Sequence, residues 1–314
     1  MIQIMNSVNS LLVCCLLGCL LLGCEEEFTP PVVNAEQQIV VEGYIEAGDR
    51  PTPAYVLLTR SFPFFSELGP EQLEAAFVHD ARVTVSTADQ SVVLTELCLD
   101  DIPPEFRDQV AEFLGNNPDS IGFNICVYVD LFGELPGQLG QTYELRVEVE
   151  GKVLTASTTI PDLVALDSLW FVPPPGQPND TLAELRVILA DPPGPNFYRY
   201  FTAVDDGPFQ RPFTSVTDDL LFDGQRFEFP ISRASEPGED FDPATFGLFR
   251  LDTRARLKWM NIDEAHFNFW NTLEFSRANQ GPFSSYTRVD HNVDGGLGIW
   301  GGIAAKYYEI DVEL

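Results

Sequence analysis

Over residues 39–160 apolar and polar positions alternate with period two, in short runs broken by Gly, Pro, Asn and Asp. That pattern marks strands that bury one face. Residues 39–45 and 55–60 are predicted to pair as a hairpin, followed by a short helical patch at 70–77 carrying Leu73, Ala76 and Phe77. Strands follow at 81–86 and, through the Ala88-Asp89-Gln90 turn, at 92–97. The period then changes. Pro104 opens a stretch with Phe106, Val110, Phe113 and Leu114 at helical spacing, ending at Gly115, which predicts an inserted amphipathic helix. Strand patterns resume at 123–131, 143–149 and 153–160, and Pro161 closes the set. This spacing predicts an N-terminal antiparallel β-sandwich, immunoglobulin-like, with a helical insertion.

Residues 161–314 read as a second β-rich domain with one buried helix. Strands are predicted at 169–172, 182–189, 197–204 and 227–229, with one more inside 248–260, where Leu251, Leu257 and Trp259 recur. A polar Pro/Gly/acid loop occupies 233–245. Asn261 is the expected helix cap, with Glu264 as its reciprocal partner. Ile262, Ala265, Phe269 and Leu273 form the expected buried stripe, widened by Phe267, Trp270 and Phe275, and the helix is expected to end near 279–281. The fold class is mainly β, and no repeat of fixed period is visible.

The opening residues follow neither period. Residues 11–22 are an almost unbroken apolar run, too short to span a bilayer but suited to a signal-peptide core. Leu-x-Gly-Cys at Leu21 to Cys24 is the pattern cut by a lipoprotein signal peptidase, after which the cysteine carries lipid. The expectation is a signal peptide over 1–23, a lipidated tether over 24–38, and domains at 39–160 and 161–314. Several acyl chains, at roughly 0.8 kcal/mol per buried CH₂, hold a soluble domain firmly on a membrane. A second match lies upstream at Cys19, but only cutting before Cys24 removes the whole apolar run. No Lys or Arg precedes Arg50, so the positive charge usual before such a run is missing. The acids Glu25, Glu26 and Glu27 form either a solvated tether or a surface-export signal.

Charge narrows the partners. The chain has 48 acidic and 18 basic residues, a net charge of −30 that repels nucleic acid and anionic surfaces. With 45% hydrophobic residues and 24 Phe it is no disordered acidic tail. Four of the six cysteines lie in the opening stretch, which leaves Cys98 and Cys126 for the folded part. In an oxidising compartment a disulfide bracketing the helical insertion is the simplest reading, with two buried free thiols as the rival. Zinc is not expected, because no histidine accompanies the pair.

Chemistry is harder to find. Asp290, Asn292 and Asp294 with Gly295 match the first half of a calcium loop, but Gly301 stands where the bidentate Glu belongs. These three are weak calcium candidates, and a glycine-rich bend feeding the last strands is the preferred reading. No other cofactor is expected. His79, His266 and His291 lie far apart in the chain, no nucleophile elbow is present, and the acidic doublets sit in turns. No catalytic constellation emerges, so no catalytic residue is assigned.

Together these marks resemble the Bacteroidota outer-membrane lipoproteins grouped as domain of unknown function 4249. The residues that carry the resemblance are Cys24 to Glu27, residues 39–45, 56–61 and 78–85, Gly281-Pro282-Phe283 and the glycine-rich stretch 292–302. The resemblance implies a cell-envelope protein with no known enzyme activity, often encoded beside TonB-dependent receptors. The expected function is therefore a non-enzymatic accessory of a TonB-dependent outer-membrane transporter, lipid-anchored and facing the cell exterior. It would capture a small-molecule, glycan or peptide ligand. A surface hydrolase acting on glycans or peptides and a purely structural envelope protein are the alternatives.

Overall fold

The computed structural model describes residues 36–62, 68–102, 122–176, 180–236, 238–279 and 288–314. The inserted helix expected at 104–114, residue Cys24 and the Gly281-Pro282-Phe283 motif lie outside the described residues. The unit described below comprises Gln37–Phe62 and Ser66–Leu314.

The chain is mainly β. Its strands are β1 (Ile39–Gly48), β2 (Tyr55–Arg60), β3 (Arg82–Ser86), β4 (Ser91–Val93), β5 (Thr95–Cys98), β6 (Cys126–Val129), β7 (Thr142–Val149) and β8 (Lys152–Thr159). They continue as β9 (Leu166–Val172), β10 (Leu182–Ala190), β11 (Phe197–Val204), β12 (Val216–Asp218), β13 (Arg226–Ile231), β14 (Phe249–Arg250), β15 (Arg254–Ile262) and β16 (Leu297–Asp311). Two α-helices are described, α1 (Pro70–Glu74) and α2 (Glu264–Ala278).

An eight-stranded sheet runs in the order β12-β11-β15-β16-β1-β2-β6-β5 and draws strands from both sides of residue 161. Its seam is β16, parallel to β1 from Val40↔Leu297 to Gly48↔Ala305 and antiparallel to β15. Two four-stranded sheets complete the fold: β4-β3-β7-β8, and one in which β10 is flanked by β9, β13 and β14.

Side-chain alternation along β16 divides the interior into three cores. Trp300 and Ala304 enter a core with β1, β3, β7 and β8; Tyr308 and Ile310 pack against a second core with β9, β10 and β15, which Val312 enters just beyond the strand. On the opposite face Ile299, Ile303 and Ala305 meet Phe267 and Trp270 of α2. Each fully buried aromatic such as Trp259 or Trp300 contributes roughly 1.5–3 kcal/mol of apolar burial.

The glycine-rich stretch is the close-approach part of this seam. A Cβ on Gly298 (φ +106°) would lie 1.9 Å from the Val41 carbonyl oxygen, and one on Gly48 (φ +118°) 2.0 Å from that of Ala305. A single strand of 15 residues emerges from this stretch, where a bend and several strands were expected.

Three further details differ from the sequence reading. The expected strand at 92–97 breaks at Leu94, because β4 pairs with β3 in one sheet whereas β5 pairs with β6 in another. Asn261 does not cap α2; it is the penultimate residue of β15, and its side-chain oxygen accepts from the Val164 N–H at 3.1 Å. Asp263 is the cap, accepting from the His266 N–H at 2.8 Å. The buried face of α2 is also rotated: it carries His266, Phe267, Trp270 and Glu274, while Phe275 is 57% exposed.

Candidate functional site

Strand β11 is read Phe197-Tyr198-Arg199-Tyr200-Phe201, and alternation sends its members to opposite faces of the large sheet. Tyr198 and Tyr200 face the second core, whereas Phe197, Arg199 and Phe201 face α2. The two faces hold two different chemistries, and Ser215, just before β12, joins them.

On the Tyr200 side a cleft of about 410 Å³ opens between β11–β12 and β13. That volume falls in the range of small-molecule sites, roughly 300–1,000 Å³. Its floor is Trp259 and Phe229, with ring centroids 6.0 Å apart. One wall is a stacked pair, Phe222 and Phe227, with centroids at 5.0 Å and planes 3° apart. Phe213, Phe246 and Leu221 form the mouth, and Phe213 and Leu221 are 65% and 88% exposed. No acid, base or histidine is among the described residues that line it. Its polar groups are hydroxyls on Tyr200, Thr214, Thr217 and Ser232. The Tyr200 oxygen accepts from the Ser232 N–H at 3.3 Å, and burial raises the Tyr200 phenol, so it stays protonated.

On the other side lies a buried polar chain. Ser215 is fully enclosed; its N–H and hydroxyl donate to the two carboxylate oxygens of Glu274 at 3.0 and 2.5 Å. Arg199 donates from Nε to the Ser215 hydroxyl at 3.3 Å, and its guanidinium lies 3.7 Å over the Trp270 ring. Arg211 approaches Glu274 at 3.7 Å. His266 Nε2 lies 3.5 Å from Arg199 Nη1, and since a guanidinium only donates, Nε2 is the acceptor. Burial, then the Arg199 charge, holds His266 well below the usual imidazole range, so the ring is neutral. The proton sits on Nδ1, which faces the Gly302 backbone without a hydrogen bond of standard geometry. A Ser–Glu pair this enclosed cannot reach a substrate; it pins residues 213–217 from behind and so fixes one wall of the cleft.

Most groups of the other polar clusters find partners among their neighbours, although Arg256 Nε is buried without one among the described residues. Asp191, Asp219 and Asp223 bring carboxylate oxygens within 4.8 Å of one another. They accept from the Tyr198 hydroxyl at 2.5 Å and from the N–H groups of Gly224, Asn196 and Gly194 at 2.8–2.9 Å. A second cavity of about 640 Å³ is lined by Asp205, Asp206, Asp252, Glu309 and Asp311 together with Arg254 and Arg256. Arg254 pairs there with Asp311 at 3.2 Å.

The residues singled out from the sequence fall elsewhere. Cys98 and Cys126 are a register pair across β5 and β6, joined sulfur to sulfur. Of the calcium candidates, Asn292 has its amide engaged by the Trp300 N–H at 3.0 Å and the Trp300 carbonyl at 2.8 Å. Asp290 and Asp294 are exposed. His79 sits 2.5 Å from Glu96 on the surface. Sequence reasoning missed Arg199, Ser215 and Glu274, and missed the cleft. The available signal was the spacing of His266, Trp270 and Glu274 at i, i+4 and i+8, which a purely hydrophobic reading passes over.

No described helix is long and apolar enough to cross a membrane. Comparison with curated proteins finds no match. A family model described as a domain of unknown function (DUF4249) matches residues 25–309, nearly the whole chain. The chain therefore belongs to the DUF4249 family.

Proposed function

We propose that the protein is a non-enzymatic, ligand-binding lipoprotein of the outer membrane, held by lipid on Cys24 and facing the cell exterior. It serves as the accessory of a TonB-dependent transporter in nutrient capture. The observation that carries the binding part is the cleft, an uncharged aromatic cavity of about 410 Å³ on a chain of net charge −30. A soluble surface keeps contiguous apolar area exposed where something docks on it. The wall is braced by a buried carboxylate, which limits the ordering needed on binding. The address rests on Leu21 to Cys24 and the acids after it, and the transporter on the resemblance to envelope lipoproteins.

Affinity isolation of the chain from detergent-solubilised outer membranes tests the partner. The expected result is co-recovery of a TonB-dependent transporter; repeated recovery without one sinks the accessory role. Cys24→Ala is expected to abolish palmitate labelling and release the protein from membranes. Labelling that persists would move the anchor to Cys19.

A further inference from the structure

We propose that the cleft takes a neutral, flat, ring-bearing small molecule with one acceptor oxygen, stacked on Phe227 and hydrogen-bonded by the Tyr200 hydroxyl. This rests on the capture reading above and names its ligand class.

Charge sets the first limit. The chain carries 48 acids and 18 bases, yet none of the described ones lines the cleft. A charged ligand entering it would lose hydration with no counter-charge to replace it, so anions and cations are both disfavoured. Shape sets the second. Phe222 is buried while Phe227, parallel to it and stacked also on Phe229 at 6.0 Å, is 41% exposed, so the three-ring stack presents its most open ring to the cleft. Ring faces of this kind favour offset stacking with another flat ring.

Hydrogen bonding sets the third. The Tyr200 oxygen already accepts from the Ser232 N–H at 3.3 Å, so its hydroxyl is turned to the ligand as a donor. The Thr217 hydroxyl is committed as a donor to the Asp218 carbonyl at 3.0 Å. A glycan needs many hydrogen bonds to replace its water, and this lining offers few. An acyl chain would fill the space but leave the Tyr200 proton unused. A flat ring with one carbonyl or ether oxygen uses both the stack and the proton.

The test uses the full chain in lipid nanodiscs, read against empty discs, with flavone as a flat ring bearing a carbonyl. N-phenyl-1-naphthylamine serves as a flat ring without an acceptor oxygen. Both are expected to bind saturably at one site, and Phe227→Ala to weaken both by roughly tenfold. Tyr200→Phe is expected to weaken flavone by roughly three- to tenfold and leave N-phenyl-1-naphthylamine unchanged. Leu221→Asp, at a position 88% exposed and so harmless to folding, should also weaken both. Absence of flavone binding, or binding indifferent to Phe227→Ala and Leu221→Asp, would overturn the proposal. So would a Phe227-dependent response to maltoheptaose or dodecanoate with none to flavone. Flavone binding without a recovered transporter removes the accessory role and leaves the cleft standing; a recovered transporter without flavone binding does the reverse.

Discussion

Glu274 of helix α2 takes both the N–H and the hydroxyl of Ser215, at 3.0 and 2.5 Å, and thereby ties the helix to the wall of the aromatic cleft on the opposite face of the sheet. Both residues are buried. Glu274→Ala leaves two donors without a partner and removes one of the two carboxylates, with Glu42, that offset the Arg199 charge. The expected cost is about 2–4 kcal/mol, from the lost charge-assisted bonds and the stranded buried groups. Glu274→Gln keeps one acceptor oxygen and should cost less. Urea denaturation of the two variants checks the order, and flavone affinity should fall in the same order.

His266 supplies a pH dependence with a definite sign. Its folded-state value lies well below the ordinary imidazole value of 6.5, because of burial first and the Arg199 charge second. The unfolded chain therefore binds this proton more readily. Stability is full above that unfolded value and is lost as pH falls below it, by at most about 1.4 kcal/mol per pH unit for one proton. Glu150 and Glu239, held low by hydrogen bonds from Arg60 and Arg233, titrate below this window. Asp263 acts in the opposite sense: burial raises it from 3.8, so its contribution falls as pH rises from there. Urea midpoints at several pH values between 5 and 7 should decline toward 5 in the parent chain and flatten in His266→Gln.

Glycine substitutions separate close approach from backbone strain. Gly298→Ala places a Cβ 1.9 Å from the Val41 carbonyl oxygen at φ +106°, so β1 and β16 must part. The expected loss is roughly 3 kcal/mol or more, the sum of steric separation and a strained conformation. Gly151→Ala, at φ +74° with nothing within 4 Å, should cost only about 1 kcal/mol. Thermal melts of the two variants make the comparison.

The Cys98–Cys126 bridge closes a loop of sequence separation 28. In the chain-entropy treatment a loop of that length stabilises by about 3–4 kcal/mol. Cys98→Ser with Cys126→Ser should lower stability by that amount, and so should reduction. A mass spectrum showing two free thiols in the untreated protein would remove the bridge.

The β-rich architecture was legible wherever a strand buries one face for five residues or more. Strands β7 and β8 alternate buried and exposed positions along their length, so period two finds them directly. Strand β12 has three residues and too few positions to show a period. Helix α2 was found by its aromatics, but its buried face was misplaced, because His266 and Glu274 face the interior and hydropathy assigns them to solvent. Arg199 was hidden for the same reason. The cleft was not legible at all: Tyr200, Phe213, Phe227 and Phe246 come from four segments, and only the crossing of two sheets brings them together.

Hydrogen exchange of the full chain, with and without flavone, reads the binding face most directly. Slowed exchange confined to the lining segments, residues 213–232 with the surroundings of Tyr200, Phe246 and Trp259, and none in Phe227→Ala, is the predicted result. Protection confined to residues 252–256 and 309–313 around the acidic cavity, or no protection anywhere, would contradict it.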